Sequence, residues 1–197
     1  MRLKDIAEVF SGYAFRERLG AYPMGDITVI QMKNIDSNDH LDFADVPRLS
    51  LPDLNERHLL LQGDVLLRAR GLFHTAAVVA QKPVRAVAAA PLMVIRVTST
   101  SVTSSYLRWF LNLSVTQTTL TSLAAGSHVQ TLNKAAIEGL VFQLPGLLQQ
   151  RRIADLAELG VREKSLAIMI AEKKSAILQH RLVQCVQGTP ITEANLA

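Results

Sequence analysis

The sequence predicts an α+β fold: a compact mixed domain over residues 1–145, one long helix over 146–187, and a flexible tail over 188–197. Three observations lead there. Up to Pro145, short runs rich in β-branched residues alternate with Gly, Pro, Ser and Asn breakers, as strands alternate with turns. Past Gly146 no proline occurs until Pro190, and Gly160 is the only glycine before Gly188, so a helix can run on unbroken. The composition, 49% hydrophobic and 19% charged, supports a buried core and excludes an intrinsically disordered chain.

The elements follow in order. Strands are expected at Ala7–Phe10, Ile27–Met32, Asp64–Arg68, Ala76–Ala80 and Leu92–Val97, where apolar and β-branched residues dominate between breakers. Leu51–Leu61 has helical character, with Pro52 suited to a first turn. Ser104 or Ser105 can cap a helix reaching about Leu123, with Leu107, Phe110, Leu111 and Val115 along one stripe. A short helix over Asn133–Glu138 and a final strand at Val141–Leu144 complete the domain. The long helix carries Ile153, Leu156, Leu159, Leu166, Ile170 and Ile177 along a heptad-like seam, interrupted by Glu163 and Lys173. A seam so long exceeds what a domain of this size can cover, so Leu156, Leu159, Leu166, Ile170 and Ile177 are expected to meet a partner helix.

Composition narrows function. No run approaches the length of a membrane span, and Asp5 and Glu8 interrupt any signal-peptide core, so a soluble cytoplasmic protein without membrane contact is expected. A single cysteine, Cys185, leaves no disulfide framework and no cysteine-based zinc site. The five histidines are never three to five apart, and Asp36, Asp39, Asp42 and Asp45 lack the glycine and glutamate of a calcium loop. No Gly-rich phosphate loop and no nucleophile–base set is visible, so neither catalysis, metal nor cofactor is expected. The net charge is only +4, but Arg outnumbers Lys 14 to 7, and Arg offers planar bidentate contacts to phosphate and guanine. Arginine codons in a GC-rich genome would give the same ratio.

Candidate binding groups lie on four polar turns, where a rigid scaffold presents them. The first contains Ser11 and Tyr13, and the second Lys33 and Asn34. The third contains Arg68, Arg70 and His74, and the fourth Ser127, His128 and Gln130. Each mixes donors for phosphate or base edges with flexible backbone.

In order, these segments resemble the specificity subunit of type I restriction–modification systems. The resemblance runs through Leu3-Lys4-Asp5-Ile6-Ala7-Glu8-Val9-Phe10-Ser11-Gly12-Tyr13-Ala14-Phe15, then Ile30-Gln31-Met32-Lys33-Asn34-Ile35 and Gly63-Asp64-Val65-Leu66-Leu67-Arg68-Ala69-Arg70-Gly71. It continues at Tyr106-Leu107, Leu111-Asn112, Gly126-Ser127, Leu132-Asn133 and Leu144-Pro145, and closes at Gln150-Arg151-Arg152-Ile153. Gly146 and Gln149 stand where the family usually has a second proline and an acidic residue. The resemblance implies one target recognition domain and one spacer helix, half of the family's two-plus-two arrangement. It implies a homodimer through an antiparallel coiled coil and a non-catalytic role. The partners it implies are double-stranded DNA, methyltransferase (modification) subunits and a restriction–translocation subunit. A dimeric scaffold, or a degenerate specificity subunit without selective DNA reading, is the alternative.

Overall fold

The computed structural model describes every residue except 16–23, 44, 45, 82, 84, 127–129 and 187–197. The chain divides into two units, Met1–Asp155 and Leu156–Ala197. In the first, β1 (Ala7–Ser11), β4 (Val65–Arg68), β5 (Ala76–Val78) and β7 (Leu92–Val97) pair antiparallel in the order β1-β7-β4-β5. A smaller sheet, ordered β3-β2-β6, joins β2 (Met24–Ile30) antiparallel to β3 (Arg48–Leu49) and parallel to β6 (Ala86–Ala88).

The larger sheet is buried on both faces, which is why its inner strands read as continuous apolar runs. Val65 and Leu67 join a cluster with Tyr106, Leu107, Leu111, Leu120 and Ile137 from the helices. Leu66 between them joins Ile30, Ala86 and Ala88 of the smaller sheet. The two-residue period of a strand thus supplies one side chain to each layer in turn. The helices are α1 (Ser104–Asn112), α2 (Ser114–Leu123) and α3 (Lys134–Glu138), followed by α4 (Leu147–Val186). The fold is α+β with a long C-terminal helix, as the sequence predicts.

Four local expectations are corrected. Leu51–Leu61 is not a helix but contains one 3-10 turn at Glu56–His58. Its end is drawn out into extended structure instead, with Leu59 bridging Val87 and the Leu60 N–H donating to the Ala86 carbonyl. The helix starting near Ser104 is capped by Thr103 and breaks at Leu113. The break serves side-chain amides: Asn112 exchanges hydrogen bonds with the Ala76 backbone, and Gln117 with the His74 backbone. Val141–Leu144 makes only a bridge from Val141 to Arg2, while β6 forms from an Ala-Val-Ala run of weak strand preference.

One ion pair ties the larger sheet to the segment before it. Asp64, 1% exposed, accepts from Arg96 Nε at 2.9 Å and Nη2 at 2.7 Å, and from the Leu61 N–H at 2.8 Å. Arg96 Nη2 also donates to the Leu59 carbonyl at 2.8 Å, and its guanidinium lies 5.2 Å from the Phe10 ring centroid. The hydrogen bonds to Asp64 hold the Arg96 pKa above its ordinary value, outweighing partial burial. Arg96→Ala strands this carboxylate and should cost about 3–5 kcal/mol in denaturant unfolding, far more than removing an exposed arginine. A loss under about 1 kcal/mol would show that the pair does not hold the fold together.

Candidate nucleic-acid interface

Strand register brings the predicted turns to one place. Ser11 lies opposite Met93, Arg68 opposite Leu92, and Leu67 opposite Ala76. The ends of β1 and β4 and the starts of β5 and β7 therefore share one end of the larger sheet. The first turn is fastened there: Gly12 N–H donates to the Leu92 carbonyl at 2.8 Å and Tyr13 N–H to the Ala88 carbonyl at 2.7 Å. A Cβ on Gly12 would stand 2.7 Å from the Ala88 oxygen, so only glycine permits this approach. Ser11 is exposed, while Tyr13 is half-buried between Phe15 and His58, with centroids at 4.9 and 5.7 Å.

Arg68 binds the second turn to the third. Its Nη1 donates to Thr75 Oγ1 at 3.2 Å, and its Nη2 to the carbonyls of Met32 (3.3 Å) and Ile35. Those carbonyls bracket Lys33 and Asn34, which lie in a 3-10 turn over Met32–Asn34. Lys33 is exposed, but Asn34 is buried and its Oδ1 accepts from the Gln31 N–H at 2.9 Å. Because Ala89 N–H donates to the Ile30 carbonyl at 2.7 Å, the end of β2 reaches the same edge.

The third and fourth turns are joined directly. Arg70 and Ala125 both bridge Thr131, Gly71 N–H donates to the Gln130 carbonyl at 3.1 Å, and Leu132 N–H to the Ala69 carbonyl at 2.7 Å. Gly71 has φ +118°, a conformation that favours glycine. Arg70 is exposed and Gln130 half-buried; Ser127 and His128 lie outside the described residues.

His74 requires a correction. It is fully buried, its N–H donates to Gln117 Oε1 at 3.0 Å, and its Nδ1 lies 2.9 Å from the Arg68 carbonyl oxygen. A side chain so enclosed holds the turn and presents nothing to solvent. Leu72 and Phe73, of which the sequence places only Phe73 in the third turn and neither among the candidate binding groups, are 79% and 69% exposed between Gly71 and His74. Their signal was available: two consecutive apolar residues directly after a turn glycine. Asn112 and Gln117, which hold the base of this loop, carry no local signal, because their partners are distant in sequence.

Among the described residues no cluster of His, Cys, Asp and Glu could hold a metal ion. No helix among them is long and apolar enough to cross a membrane. Asp39, at φ +59°, accepts from Asn112 Nδ2 at 3.1 Å. Burial raises its pKa above the usual 3.8, more than its Thr75 hydrogen bond and the charges of Arg68 and Arg108 lower it.

Two outcomes are expected. Arg68→Ala should lose about 1–3 kcal/mol of stability, and hydrogen exchange should show faster opening at Met32–Ile35; unchanged exchange there would mean that Arg68 is not the tie. A carboxyl whose folded pKa is raised opposes folding once it ionises, so its penalty grows as pH rises from 3.8 through the folded value. Asp39→Asn keeps an acceptor and tolerates the left-handed backbone, so it should be more stable than the native chain at neutral pH. That advantage should shrink towards pH 3.8 in unfolding measured across pH, and a pH-independent difference would contradict it.

The family model described as the type I restriction modification DNA specificity domain matches residues 1–158. No curated protein matches the sequence. Among solved structures, the chain is similar to the HsdS subunit from Thermoanaerobacter tengcongensis, with 17% identity and a TM-score of 0.59. That match covers 96% of this chain and 45% of the other. It is similar to a chain solved to explain assembly and conformational transition of the type I R-M system, with 19% identity and a TM-score of 0.59, covering 94% of this chain and 43% of that one. It is also similar to the S subunit of the type I restriction–modification system of M. genitalium, with 13% identity and a TM-score of 0.53, covering 89% and 42% of the two chains. These TM-scores show a shared fold, and this chain spans less than half the length of each. With the family model covering most of its sequence, the chain belongs to the type I restriction–modification DNA specificity family.

Proposed function

We propose that the chain reads one half of a bipartite target in double-stranded DNA and makes no covalent change to it. The observation that carries this reading is the gathering of the first three turns, with Gln130 and Thr131, at one end of the sheet. Among the described residues, exposed groups there include Ser11, Lys33, Arg70, Leu72, Phe73 and Thr131. Cations at such a surface position a duplex through its phosphates, and Arg70 suits the O6 and N7 acceptors of guanine. Phe73 and Leu72 suit a thymine methyl group or an opened base step. Buried Asn34 and His74 and the engaged guanidinium of Arg68 hold the surface in place.

The modest charge fits a subunit that shares its grip on DNA with others. Methyltransferase subunits and a restriction–translocation subunit are the partners proposed, in the cytoplasm, with this chain as scaffold. A second copy paired through the helix seam would present a second identical surface, making the target an interrupted palindrome.

The test is binding by the assembled complex to the duplex whose methylation depends on this gene, and to a scrambled duplex. If Arg70 reads guanine, Arg70→Ala should cost about 1–3 kcal/mol on the target and relax one base position. If it holds a phosphate, both duplexes should weaken alike and the salt dependence should flatten. The reading is wrong if Lys33→Ala, Arg70→Ala and the pair Leu72→Ala with Phe73→Ala all leave both affinities unchanged.

A further inference from the structure

The turn between β4 and β5 has an apolar tip on a fixed base. Leu72 and Phe73 stand in solvent, while the residues on either side of them are held. Before the tip, Gly71 N–H donates to the Gln130 carbonyl at 3.1 Å and Arg70 bridges Thr131. After it, His74 is fully buried, and the Gln117 amide meets both its N–H (3.0 Å) and its carbonyl (2.8 Å). Arg68 closes the base, its N–H donating to the Thr75 carbonyl at 3.0 Å and its Nη1 to Thr75 Oγ1 at 3.2 Å. A turn fastened at both ends resists folding its tip back onto the domain. Two large apolar side chains kept in water gain nothing from folding, so what they gain comes from a partner.

Size and surroundings say which partner. Two adjacent side chains cover far less than the roughly 800 Å² per partner of a standard protein interface. They do match the gap opened at one base step, where Phe and Leu are among the side chains that proteins insert. Exposed Arg70 and Lys33 supply charge for the flanking phosphates, with Ser11 and Thr131 as hydrogen-bond donors. The Asp39 carboxylate at the base of the turn is taken up by Asn112 Nδ2 at 3.1 Å and by Thr75. Stiffness is the deciding feature. A wedge works against base stacking, and a tip that yielded would bend away before the stack opened. A methyl contact on the groove floor needs no such rigidity.

We propose that Leu72 and Phe73 form a wedge that enters the half-site between two stacked base pairs and selects a TA or CA/TG step. Such pyrimidine–purine steps unstack and kink more easily than others, so sequence is read there as deformation, without a hydrogen bond to a base. The inference rests on the DNA-reading proposal and adds to it one position read by shape.

The experiment is permanganate footprinting, with affinities measured in parallel, of the assembled complex on the duplex whose methylation depends on this gene. Permanganate attacks unstacked thymines, and every TA or CA/TG step contains one. The native complex should sensitise a thymine at such a step, apart from the methylated base pair. Leu72→Ala with Phe73→Ala should abolish that signal and weaken binding at least about tenfold, whereas Phe73→Met, which keeps an apolar tip, should retain it. A mismatch that opens the step in advance should tighten native binding and leave the double variant unchanged. Selective binding by the native complex without a sensitised step, or with one that persists in the double variant, would overturn the inference and leave the DNA-reading proposal standing. If uracil in place of one thymine reproduces the double variant's loss, a methyl contact replaces the wedge. If the double variant no longer assembles with its partner subunits, a protein contact replaces it. A native complex that binds target and scrambled duplexes alike overturns both proposals.

Discussion

Antiparallel pairing reverses the chain at every strand, so any two neighbours contribute the end of one and the start of the other to the same edge. Here the order β1-β7-β4-β5 gathers the turns after β1 and β4 and before β5 and β7 at one edge. Residues more than 100 apart in sequence, from Ser11 to Thr131, thereby occupy one surface. The smaller sheet reaches it through the Ala89–Ile30 hydrogen bond. No single turn would be a binding surface by itself. The sheet makes them one.

Polar ties then turn that edge into a platform. Arg68, Asn112 and Gln117 spend their donors and acceptors on backbone groups of Met32, Ile35, Ala76 and His74. Such bonds contribute about 1 kcal/mol each when made and cost more when one partner is left buried alone. Their larger effect is geometric, because a loop pinned at its base can expose Leu72 and Phe73 without collapsing over them. Gln150 does the same for the start of α4. It is fully buried, accepts from the Thr103 N–H at 2.9 Å, and donates to the Ser101 and Pro145 carbonyls at 2.8 and 2.7 Å.

The sequence was most legible where local signals and burial agree. β4 and β7 are apolar runs between breakers, and α4 runs from Leu147 to Val186 without proline, so both types were read closely. β6 was missed because alanines carry little strand preference, and Leu51–Leu61 was misread because its pairing partner lies at Ala86–Val87. At the candidate site the first three turns are legible in the sequence, but the roles within them are not. A polar residue in a turn reads as a surface group, and only the fold shows that Arg68 meets two carbonyls and that His74 is enclosed. Gly63-Asp64, part of the pattern that resembles the family, belongs to the fold through Arg96.

Whether this edge of the sheet selects a DNA sequence, as proposed, is tested most directly by mapping methylated bases across the genome of the host with and without this gene. Methylation at one interrupted motif with two identical, oppositely oriented halves should disappear when the gene is removed and return when it is restored. A methylome that is unchanged by the deletion would contradict it.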